Sequence, residues 1–514
     1  MIESLLLGVV LRIGQTLLEA APTILFGFLT AAFLRVMVPP ASIRNLFGGD
    51  GWSSLPRAWG IGMLLPVCSF GVIPVAQELR RAGVRPGTIL AFALAAPLLN
   101  PISLLYGLTL PEPLILFSFV TASLMVSVLA GAIWSRWIDE TAETLPETAE
   151  PMIRPGPKRL AAIACESAIS ASGPVLWYLA IGLLGIALLA LVIPMGSLQR
   201  TMQHGDPWAP LMMAGVGFPA FVSPMRAMMI NGAMFEHGNS IGAAYVMLVV
   251  GAGTNLGLTA WTAAICGWQR TALWFALVLS LAVGFGYAME NPLYLAHHQE
   301  DHTHAFDGFT APFLSGSGTW SAVVEKWSDG KHWLDFEVVS LFTLAALVGA
   351  GVFLRAVGLV LLLRSWMQSE TQAAANPRTW NLPLSPRMLA VVALLGFVAF
   401  GIVGAFVYYP EPDVVYKDIA YARTEAWSAV RLNRKEDALK YLRRWDDLTR
   451  KLEVGIFLRT GTLSEALRAK GDALREAIES VADHVKEDAW EAAKTNFDTT
   501  DQSYREYRTI AAIK

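Results

Sequence analysis

Apolar stretches separated by short polar segments fill the first 409 residues of the chain. A helix needs roughly 20 apolar residues to cross about 30 Å of hydrocarbon, and about ten of the stretches reach or approach that length. The pattern therefore predicts an all-α, polytopic membrane protein with about ten transmembrane helices. The predicted spans are residues 17–38, 58–79, 86–109, 112–135, 173–196, 209–235, 241–265, 271–289, 336–363 and 388–409.

The composition supports this interpretation. Hydrophobic residues make up 54% of the chain and charged residues 16%, and the mean hydropathy is +0.46. These values exclude a protein that is soluble over its whole length. The three cysteines, Cys68, Cys165 and Cys266, lie far apart without metal-ligand spacing, so neither a disulfide framework nor a thiolate metal site is expected.

An internal repeat links residues 66–101 with residues 219–256. Two glycines and an asparagine are separated by the same intervals of 4 and 13 residues in both copies. A proline and a serine ahead of them also correspond, with a shift of one or two residues. Since each copy contains four predicted spans, an even number, the two repeats are expected to lie parallel in the membrane. The paired residues are Pro66 and Pro219, Ser69 and Ser223, Gly83 and Gly238, Gly87 and Gly242, and Asn100 and Asn255.

Each copy carries a helix break near its asparagine. Proline removes a backbone donor and disfavours a helical conformation at the preceding residue, so Pro97 and Pro101 leave peptide groups near Asn100 unpaired. Glycines loosen the corresponding point before Asn255. Unpaired peptide groups are costly in lipid unless protein or water supplies a partner. Two breaks at matched positions predict a transporter's binding site near the bilayer midplane; the alternative is a pair of kinks that serve only helix packing.

The candidate substrate-binding residues follow from this prediction. Asn100 and Asn255 offer amide donors and acceptors, and Ser69 and Ser223 add hydroxyl groups from the preceding helices. Arg226, in the middle of its span, predicts either a site for an anionic substrate or a structural salt bridge. Cys68 is a further candidate, with the role of a small buried hydrophobe as the alternative. The predicted structural breaks are Pro66, Pro97, Pro101, Pro219, Pro224, Gly83, Gly87, Gly238 and Gly242.

Other polar groups in the membrane part have two interpretations each. Glu19 and Glu166 are either proton-coupling or interfacial carboxylates. The polar stretch "HHQEDHTHAF" is either a divalent transition-metal site, because imidazoles and carboxylates are suitable ligands, or an ordinary solvated loop. No other cofactor is predicted. The candidate metal ligands are His297, His298, His302 and His304.

Three segments resemble a known family: "LLEAAPTILFGFL", "PVCSFGVIPVAQELRRAGVRPGTILAFALAAPLLNP" and "VGAGTNLG". They are similar to signature regions of the predicted-permease family that contains the bacterial ArsP-type organoarsenical efflux permeases. The resemblance covers about residues 15–290 and implies an eight-span inner-membrane permease. For the arsenical exporters of that family, the resemblance implies a role for cysteine in binding the substrate. In this chain Cys68 is present in the first copy, and Phe70 stands where a second cysteine is common. The second copy has no cysteine in the corresponding motif.

Residues 410–514 differ from the rest of the chain because they are rich in charged residues. Apolar residues recur there every three to four positions, which is the period of an amphipathic helix. The pattern predicts a small soluble helical bundle that binds a partner or regulates the membrane part.

The positions of charged residues give conflicting signals about orientation. Arginines at 79–86 and 136–159 predict cytoplasmic loops, and ten full crossings would then leave the C-terminus inside. Arginines before the last span and an acidic segment after it instead place residues 410–514 outside. Either one segment is re-entrant or crosses only halfway, or one of the local charge signals is overruled. We expect an inner-membrane protein with a periplasmic C-terminal domain.

These features predict a secondary permease or exporter, not an enzyme, that moves a small solute such as a metal- or metalloid-related compound. Two alternatives stay open: a membrane-anchored sensor or scaffold, and a membrane enzyme that uses a thiol or a metal. Expected partners are the substrate, the lipid bilayer and a protein bound by residues 410–514, with no nucleic acid. The predicted parts are the first permease repeat (1–136), a polar loop with an amphipathic leader (137–172), the second permease repeat (173–289), a histidine-rich polar loop (290–334), two further transmembrane helices with a linker (335–409) and a soluble helical domain (410–514).

Overall fold

The computed structural model describes residues 2–48, 51–108, 113–138, 157–294, 305–314, 316–329, 335–369, 395, 398–399 and 401–511. The ordered elements of these residues are helices, so the predicted all-α, polytopic fold is confirmed. The chain forms two compact units, Met1–Leu394 and Leu395–Lys514.

The helices of the first unit vary widely in length. Two π-helical segments, Trp134–Ile138 and Met247–Gly253, continue α7 and α12, and a short 3-10 helix covers Asp307–Phe309. The α-helices are α1 (Ile2–Met37), α2 (Pro40–Leu46), α3 (Ser54–Met63), α4 (Val72–Arg81), α5 (Pro86–Leu98), α6 (Pro101–Gly107), α7 (Pro113–Ile133), α8 (Pro157–Ala171), α9 (Val175–Val192), α10 (Ala209–Gly217), α11 (Pro224–Glu236), α12 (Ile241–Val246), α13 (Leu256–Cys266), α14 (Trp268–Glu290), α15 (Trp320–Asp329), α16 (Asp335–Ala356) and α17 (Leu359–Ser369).

Five helices in the described part of the chain are long and apolar enough to cross a membrane, namely α1, α7, α9, α14 and α16. Two further helix pairs are long and apolar enough only when taken together, and each pair is bent: α5 meets α6 at 44°, and the helix Ile241–Gly253 meets α13 at 56°. The expectation of about ten spans is wrong for the stretches 58–79 and 209–235, because each forms two short helices joined by a turn. In the predicted span 388–409, residues 388–394, 396–397 and 400 lie outside the described residues.

Matched glycines hold the spans of both repeats together in the same way. A Cβ on Gly87, at the start of α5, would lie 2.6 Å from the carbonyl oxygen of Gly131 in α7. A Cβ on Gly242, at the start of α12, would lie 2.7 Å from the carbonyl oxygen of Gly286 in α14. The second glycine follows the first by 44 residues in each repeat. The repeat seen in the sequence is therefore also a repeat in helix packing.

The stretch 58–79 folds back on itself as a re-entrant hairpin. The hydroxyl groups of Ser54, at the start of α3, and Thr88, at the start of α5, lie 3.1 Å apart. Gly62, near the end of α3, packs against the backbone of Ala96, near the end of α5. Since α3 and α5 are parallel, α4 between them must run in the opposite direction. Residues 64–71, which join α3 to α4, are called tip 1 below.

The stretch 209–235 forms a second re-entrant hairpin. α10 begins beside the end of α14, because the Tyr287 hydroxyl donates a hydrogen bond to the carbonyl of Pro207. α12 also begins there, through the glycine contact with α14. The other ends meet as well, since Gly217 of α10 lies next to Gly251. α11 therefore runs back between them, and residues 218–223, which join α10 to α11, are called tip 2.

With each bent pair counted as one span, each repeat crosses the membrane three times, once before the hairpin and twice after it, and an odd number of crossings inverts the second copy. The contacts of the first spans agree. The segment 307–311 accepts hydrogen bonds from Arg12, near the start of α1, and donates one of 2.8 Å to the carbonyl of Ile193, at the end of α9. At the other end of α1, Arg35 pairs at 3.3 Å with Glu166 of α8, which leads into α9. The expectation of parallel repeats is wrong, because the second predicted span of each copy does not cross.

The second unit contains a bundle of four helices. These helices are α18 (Pro412–Arg431), α19 (Lys435–Thr460), α20 (Glu465–Lys486) and α21 (Trp490–Ala511). Consecutive helices pack against each other, and α18 also contacts α21. The bundle core is centred on Trp445, which is 0% exposed and lies 5.8 Å, between ring centroids, from both Phe497 and Tyr504.

A fragment of residues 412–511 is expected to fold without the membrane unit, because its core is made of its own four helices. Circular dichroism should show a helical spectrum that is lost cooperatively on heating. Trp445→Ala should remove the cooperative transition, since truncating a buried tryptophan costs about 3–5 kcal/mol. The matched change Trp427→Ala, at a side chain that is 43% exposed, should have little effect. A wild-type fragment without helical signal would contradict an independent bundle.

Candidate functional site

The two predicted asparagines cap the second halves of the bent spans. Asn100 is the N-cap of α6, and its Oδ1 accepts a hydrogen bond of 2.9 Å from the backbone of Ser103. Asn255 is the N-cap of α13, and its Oδ1 accepts one of 2.9 Å from the backbone of Leu258. Such a cap contributes about 1 kcal/mol. Both spans are therefore broken at the asparagine, and one oxygen of each amide is used to restart the helix.

The nitrogen atoms of both amides are bonded to tip 1. Nδ2 of Asn100 donates to the carbonyl of Val67 at 3.3 Å, and Nδ2 of Asn255 donates to the hydroxyl of Ser69 at 2.6 Å. All four residues are at most 1% exposed. Because the two asparagines belong to different repeats, tip 1 is a point at which the halves of the membrane unit meet. The structure thus brings three of the predicted site residues, Asn100, Asn255 and Ser69, together.

Cys68 lies within tip 1, between the two bonded residues. Its side chain is buried, and its sulfur accepts a hydrogen bond of 3.4 Å from the backbone of Gly71. Phe70, two residues further on, stacks on Phe221 of tip 2 with ring centroids 4.4 Å apart and an interplanar angle of 26°. The two tips therefore touch through aromatic rings, next to the asparagine contacts.

Glycines let each tip approach the first span of its own repeat. A Cβ on Gly27 of α1 would overlap the carbonyl oxygen of Gly71 in tip 1. A Cβ on Gly185 of α9 would overlap the carbonyl oxygen of Pro219 in tip 2. The neighbouring atom is backbone in both places, so no side-chain rearrangement can make room. The positions of the tips are fixed by these two close contacts.

Ser223 and Arg226 lie on the tip 2 side of the site. Ser223 is the N-cap of α11, and its hydroxyl accepts a hydrogen bond of 3.3 Å from the backbone of Arg226. The guanidinium of Arg226 lies 3.7 Å from the carboxylate of Glu19 in α1, and these side chains are 43% and 22% exposed. Glu19 is one helical turn before Thr23, whose carbonyl packs against Gly71 of tip 1. The ion pair therefore lies beside the tips, and Ser223 is not bonded to an asparagine as Ser69 is.

Polar groups continue along one face of α1. Arg12, Gln15 and Glu19 are spaced by three and four residues, which places them on the same side of the helix. Arg12 donates to Gln15 at 3.2 Å and to the carbonyl groups of Asp307 and Thr310. The first predicted span begins at residue 17 and therefore does not include Arg12. The spacing of the three side chains was the signal that could have joined them.

The predicted break residues have different local roles. Gly83 and Gly238 have positive φ angles of 78° and 70°, which L side chains rarely adopt, and they follow the ends of α4 and α11. Gly87 and Gly242 make the close helix contacts described above. Of the prolines, Pro101 and Pro224 begin α6 and α11, Pro66 and Pro219 lie in the tips, and Pro97 lies in the last turn of α5.

A polar cluster at the start of α12 is not among the predicted site residues. Nδ1 of His204 lies 2.9 Å from one carboxylate oxygen of Glu290. The other oxygen accepts hydrogen bonds of 2.7 Å from the Ser240 hydroxyl and the Gly242 backbone. This cluster ties the end of α14 to the start of α12. The four candidate metal ligands, His297, His298, His302 and His304, lie outside the described residues, so that site stays a prediction.

Comparison with known proteins gives a family match and two partial relatives. UPF0718 protein YcgR of Bacillus subtilis (strain 168) is 32% identical over 88 residues, which are 17% of this chain and 30% of that protein. A putative two-component membrane permease complex subunit of Streptococcus mutans serotype c (strain ATCC 700610 / UA159) is 26% identical over 88 residues, 17% of this chain and 29% of that protein. The chain thus spans less than a third of the length of these relatives. No solved structure matches it significantly.

The family match covers the part of the chain that contains both repeats. A family model of the ArsP type, described as predicted permease, matches residues 6–290, more than half of the 514 residues. These residues include both hairpins, both bent spans and both capping asparagines. The chain therefore belongs to this predicted-permease family of multi-pass membrane proteins.

Proposed function

We propose that this protein is a secondary permease that moves a small solute through the point where tip 1, Asn100 and Asn255 meet. The observation that carries the proposal is the convergence of two amide groups from different repeats on one re-entrant tip. Secondary transporters bind their solutes near the bilayer midplane, at broken helices of inverted repeats. The solute would take over the hydrogen bonds that the two amide nitrogens make to Val67 and Ser69.

The ion pair between Glu19 and Arg226 supports a coupling role. Carboxylates inside membrane transporters commonly carry protons. Protonation of Glu19 would remove the negative charge that lies 3.7 Å from the guanidinium. Arg226 would then be free to pair with an anionic group of the solute beside the tips. In this proposal, the solute replaces Glu19 as the partner of Arg226 during transport.

The matched serines of the two repeats have different hydrogen-bond partners in this structure. This difference supports a transport cycle in which the permease alternates between two states. Ser69 of tip 1 accepts a hydrogen bond from Asn255, whereas its counterpart Ser223 accepts one from the backbone of its own helix. Inverted repeats can move against each other around a fixed site. In the opposite state, the second repeat would take the role of the first, and Ser223 would accept a hydrogen bond from Asn100. We infer that the permease alternates between these two states.

Two pairs of introduced cysteines test this alternation. Each pair is placed in a full-length chain from which the native cysteines have been removed, and cross-linking is measured in membranes. Ser69→Cys with Asn255→Cys should cross-link through a short reagent that joins two thiols, because the two side chains are in contact, with Nδ2 of Asn255 2.6 Å from Oγ of Ser69. Ser223→Cys with Asn100→Cys should cross-link as well, because the opposite state joins them. A second pair that never forms, while the first forms readily, would show a single state and contradict the permease cycle.

A third pair of introduced cysteines serves as the control for cross-linking efficiency. The hydroxyl groups of Ser54 and Thr88 lie 3.1 Å apart within one repeat, at the base of the first hairpin. Ser54→Cys with Thr88→Cys should therefore cross-link in both states. Its yield sets the level against which the other two pairs are compared.

The re-entrant hairpins also give a consistent orientation, which we propose on the basis of charge. Arg80, Arg81 and Arg85 lie where α4 ends and α5 begins, and the positive-inside rule makes this face cytoplasmic. α16 ends at the same face, since Arg355 donates to the carbonyl of Ile169, near the turn between α8 and α9. One further crossing by residues 388–409 would put residues 410–514 in the periplasm. The conflict between the sequence signals then disappears, because neither hairpin crosses the inner membrane.

A second candidate function is supported by a groove on the bundle. Arg423, Trp427, Phe497, Asp501 and Arg505 line a depression of about 610 Å³ on α18 and α21. In this alternative the membrane unit anchors the bundle, and the bundle binds a protein partner. Deletion of residues 410–514 separates the two candidates, because a permease should still transport whereas a scaffold should lose its function.

A further inference from the structure

A second set of buried polar groups lies in the membrane unit, on α11 and α12. The Asn231 side chain is 0% exposed, and neither its Oδ1 nor its Nδ2 has a hydrogen-bond partner among the residues that the structure describes. Tyr245 is also 0% exposed, and its hydroxyl has no hydrogen-bond partner in the described part of the chain. Buried amide and hydroxyl groups are hydrogen-bonded in the large majority of cases. Three unpaired atoms on two adjacent helices therefore indicate a binding site.

Asn231 and Tyr245 lie at the same depth. α11 and α12 contact each other and run in opposite directions through the turn at Gly238. Asn231 is five residues before the end of α11, and Tyr245 is four residues after the start of α12. Phe119 of α7 connects the two helices, because its ring centroid is 5.3 Å from that of Tyr245 and 6.3 Å from that of Phe235, one turn after Asn231.

The surroundings of the two polar side chains select an uncharged ligand. Met228 and Met234 are at most 1% exposed and share the buried face of α11 with Asn231. Together with the two phenylalanines they make an apolar lining, in which a charged molecule would lose its hydration without gaining a counter-charge. We propose that Asn231 and Tyr245 bind a small uncharged molecule that presents a hydrogen-bond donor beside an acceptor, as a primary amide does. This binding site is proposed independently of the permease function.

Acetamide and acetone are suitable probes, because they are similar in size and only acetamide has a donor. Saturation-transfer NMR on the full chain in lipid nanodiscs should show that acetamide binds more strongly than acetone. Asn231→Leu should remove this preference, and Tyr245→Phe should weaken it. Thr262→Val, a change at another buried polar residue that is 1% exposed, should leave it intact. Equal binding of the two probes by the wild-type chain would overturn the proposal.

Thermal unfolding without any ligand gives a second measurement. Asn231→Leu should raise the unfolding midpoint, because it removes a buried amide that has no hydrogen-bond partner among the described residues. Thr262→Val should lower the midpoint, because it removes a hydrogen bond of 2.9 Å to the carbonyl of Leu258. A lower midpoint for Asn231→Leu would show that its amide is paired within the protein and would overturn the proposal. Neither measurement depends on transport, so failure here is distinct from failure of the cross-linking test.

Discussion

Replacing Asn100 or Asn255 by leucine is expected to lower transport about five- to tenfold. Each variant loses a hydrogen bond to the solute, worth about 1–1.5 kcal/mol, and 1.4 kcal/mol corresponds to a factor of ten. Both variants should remain in the membrane, because the lost N-cap contributes only about 1 kcal/mol and leucine introduces no charge into lipid. Transport is measured as cellular accumulation of the compound identified by a metal and metalloid sensitivity screen of cells with and without the chain.

Serine variants separate helix capping from solute binding. Serine is also a good N-cap, so Asn100→Ser and Asn255→Ser should keep α6 and α13 intact while removing the Nδ2 donors. Loss of transport in the serine and leucine variants, at normal abundance, is the expected result. Normal transport by the leucine variants would contradict a site at the breaks. Disappearance of every variant from the membrane would show that the asparagines are structural, and the site would then be sought around Arg226.

Replacing Gly27 or Gly185 by alanine is expected to reduce the amount of folded protein severalfold. The added Cβ would overlap the carbonyl oxygen of Gly71 in tip 1 or of Pro219 in tip 2. Overpacking costs about 1–3 kcal/mol where side chains can adjust, and more where they cannot. Size-exclusion chromatography of detergent extracts measures the monodisperse fraction.

Gly284→Ala is the matched control for these two variants. Gly284 also lies within a membrane helix, α14, but a Cβ there meets no atom within 4 Å. The change should be tolerated, since alanine favours a helix over glycine by about 1 kcal/mol. If Gly27→Ala accumulated as well as Gly284→Ala, the close contact between α1 and tip 1 would be wrong.

The repeat could be recognised from the sequence because each matched glycine stands where the local structure requires a residue without a side chain. Gly83 and Gly238 have backbone conformations that side chains disfavour, and Gly87 and Gly242 lie against the backbone of another helix. Constraints of this kind act on single positions, so they preserve both the residue type and its spacing. The breaks at the asparagines were visible for the same reason, since proline and glycine act on the chain locally.

The re-entrant hairpins could not be predicted from hydropathy. Residues 58–79 and 209–235 are apolar enough to cross a membrane, and hydropathy records transfer into lipid without recording the direction of the chain. Pro66 and Pro219 mark the tips, but a proline also occurs at kinks of helices that do cross. The inversion of the second repeat depends on these two turns, and so does the orientation of every later segment.

The contacts between the two repeats could not be predicted from the sequence either. Asn255 bonds to Ser69, and Arg226 pairs with Glu19, although the partners are far apart in the chain. A single sequence shows that these polar side chains lie in apolar stretches and need partners. Which partner each one finds depends on how the two inverted halves pack, and this is a property of the tertiary structure.

The sidedness of Trp52 and Trp208 tests most directly the claim that two inverted repeats build the site. These tryptophans precede α3 and α10, at corresponding positions of the two hairpins, and are 78% and 65% exposed. Single cysteines at these positions in a cysteine-free chain can be labelled with a membrane-impermeant thiol reagent, in intact and in permeabilised cells. Inverted repeats predict that Trp208→Cys is labelled in intact cells and Trp52→Cys only after permeabilisation. Labelling of both cysteines from the same face would contradict the inverted repeats and the midplane site built from them.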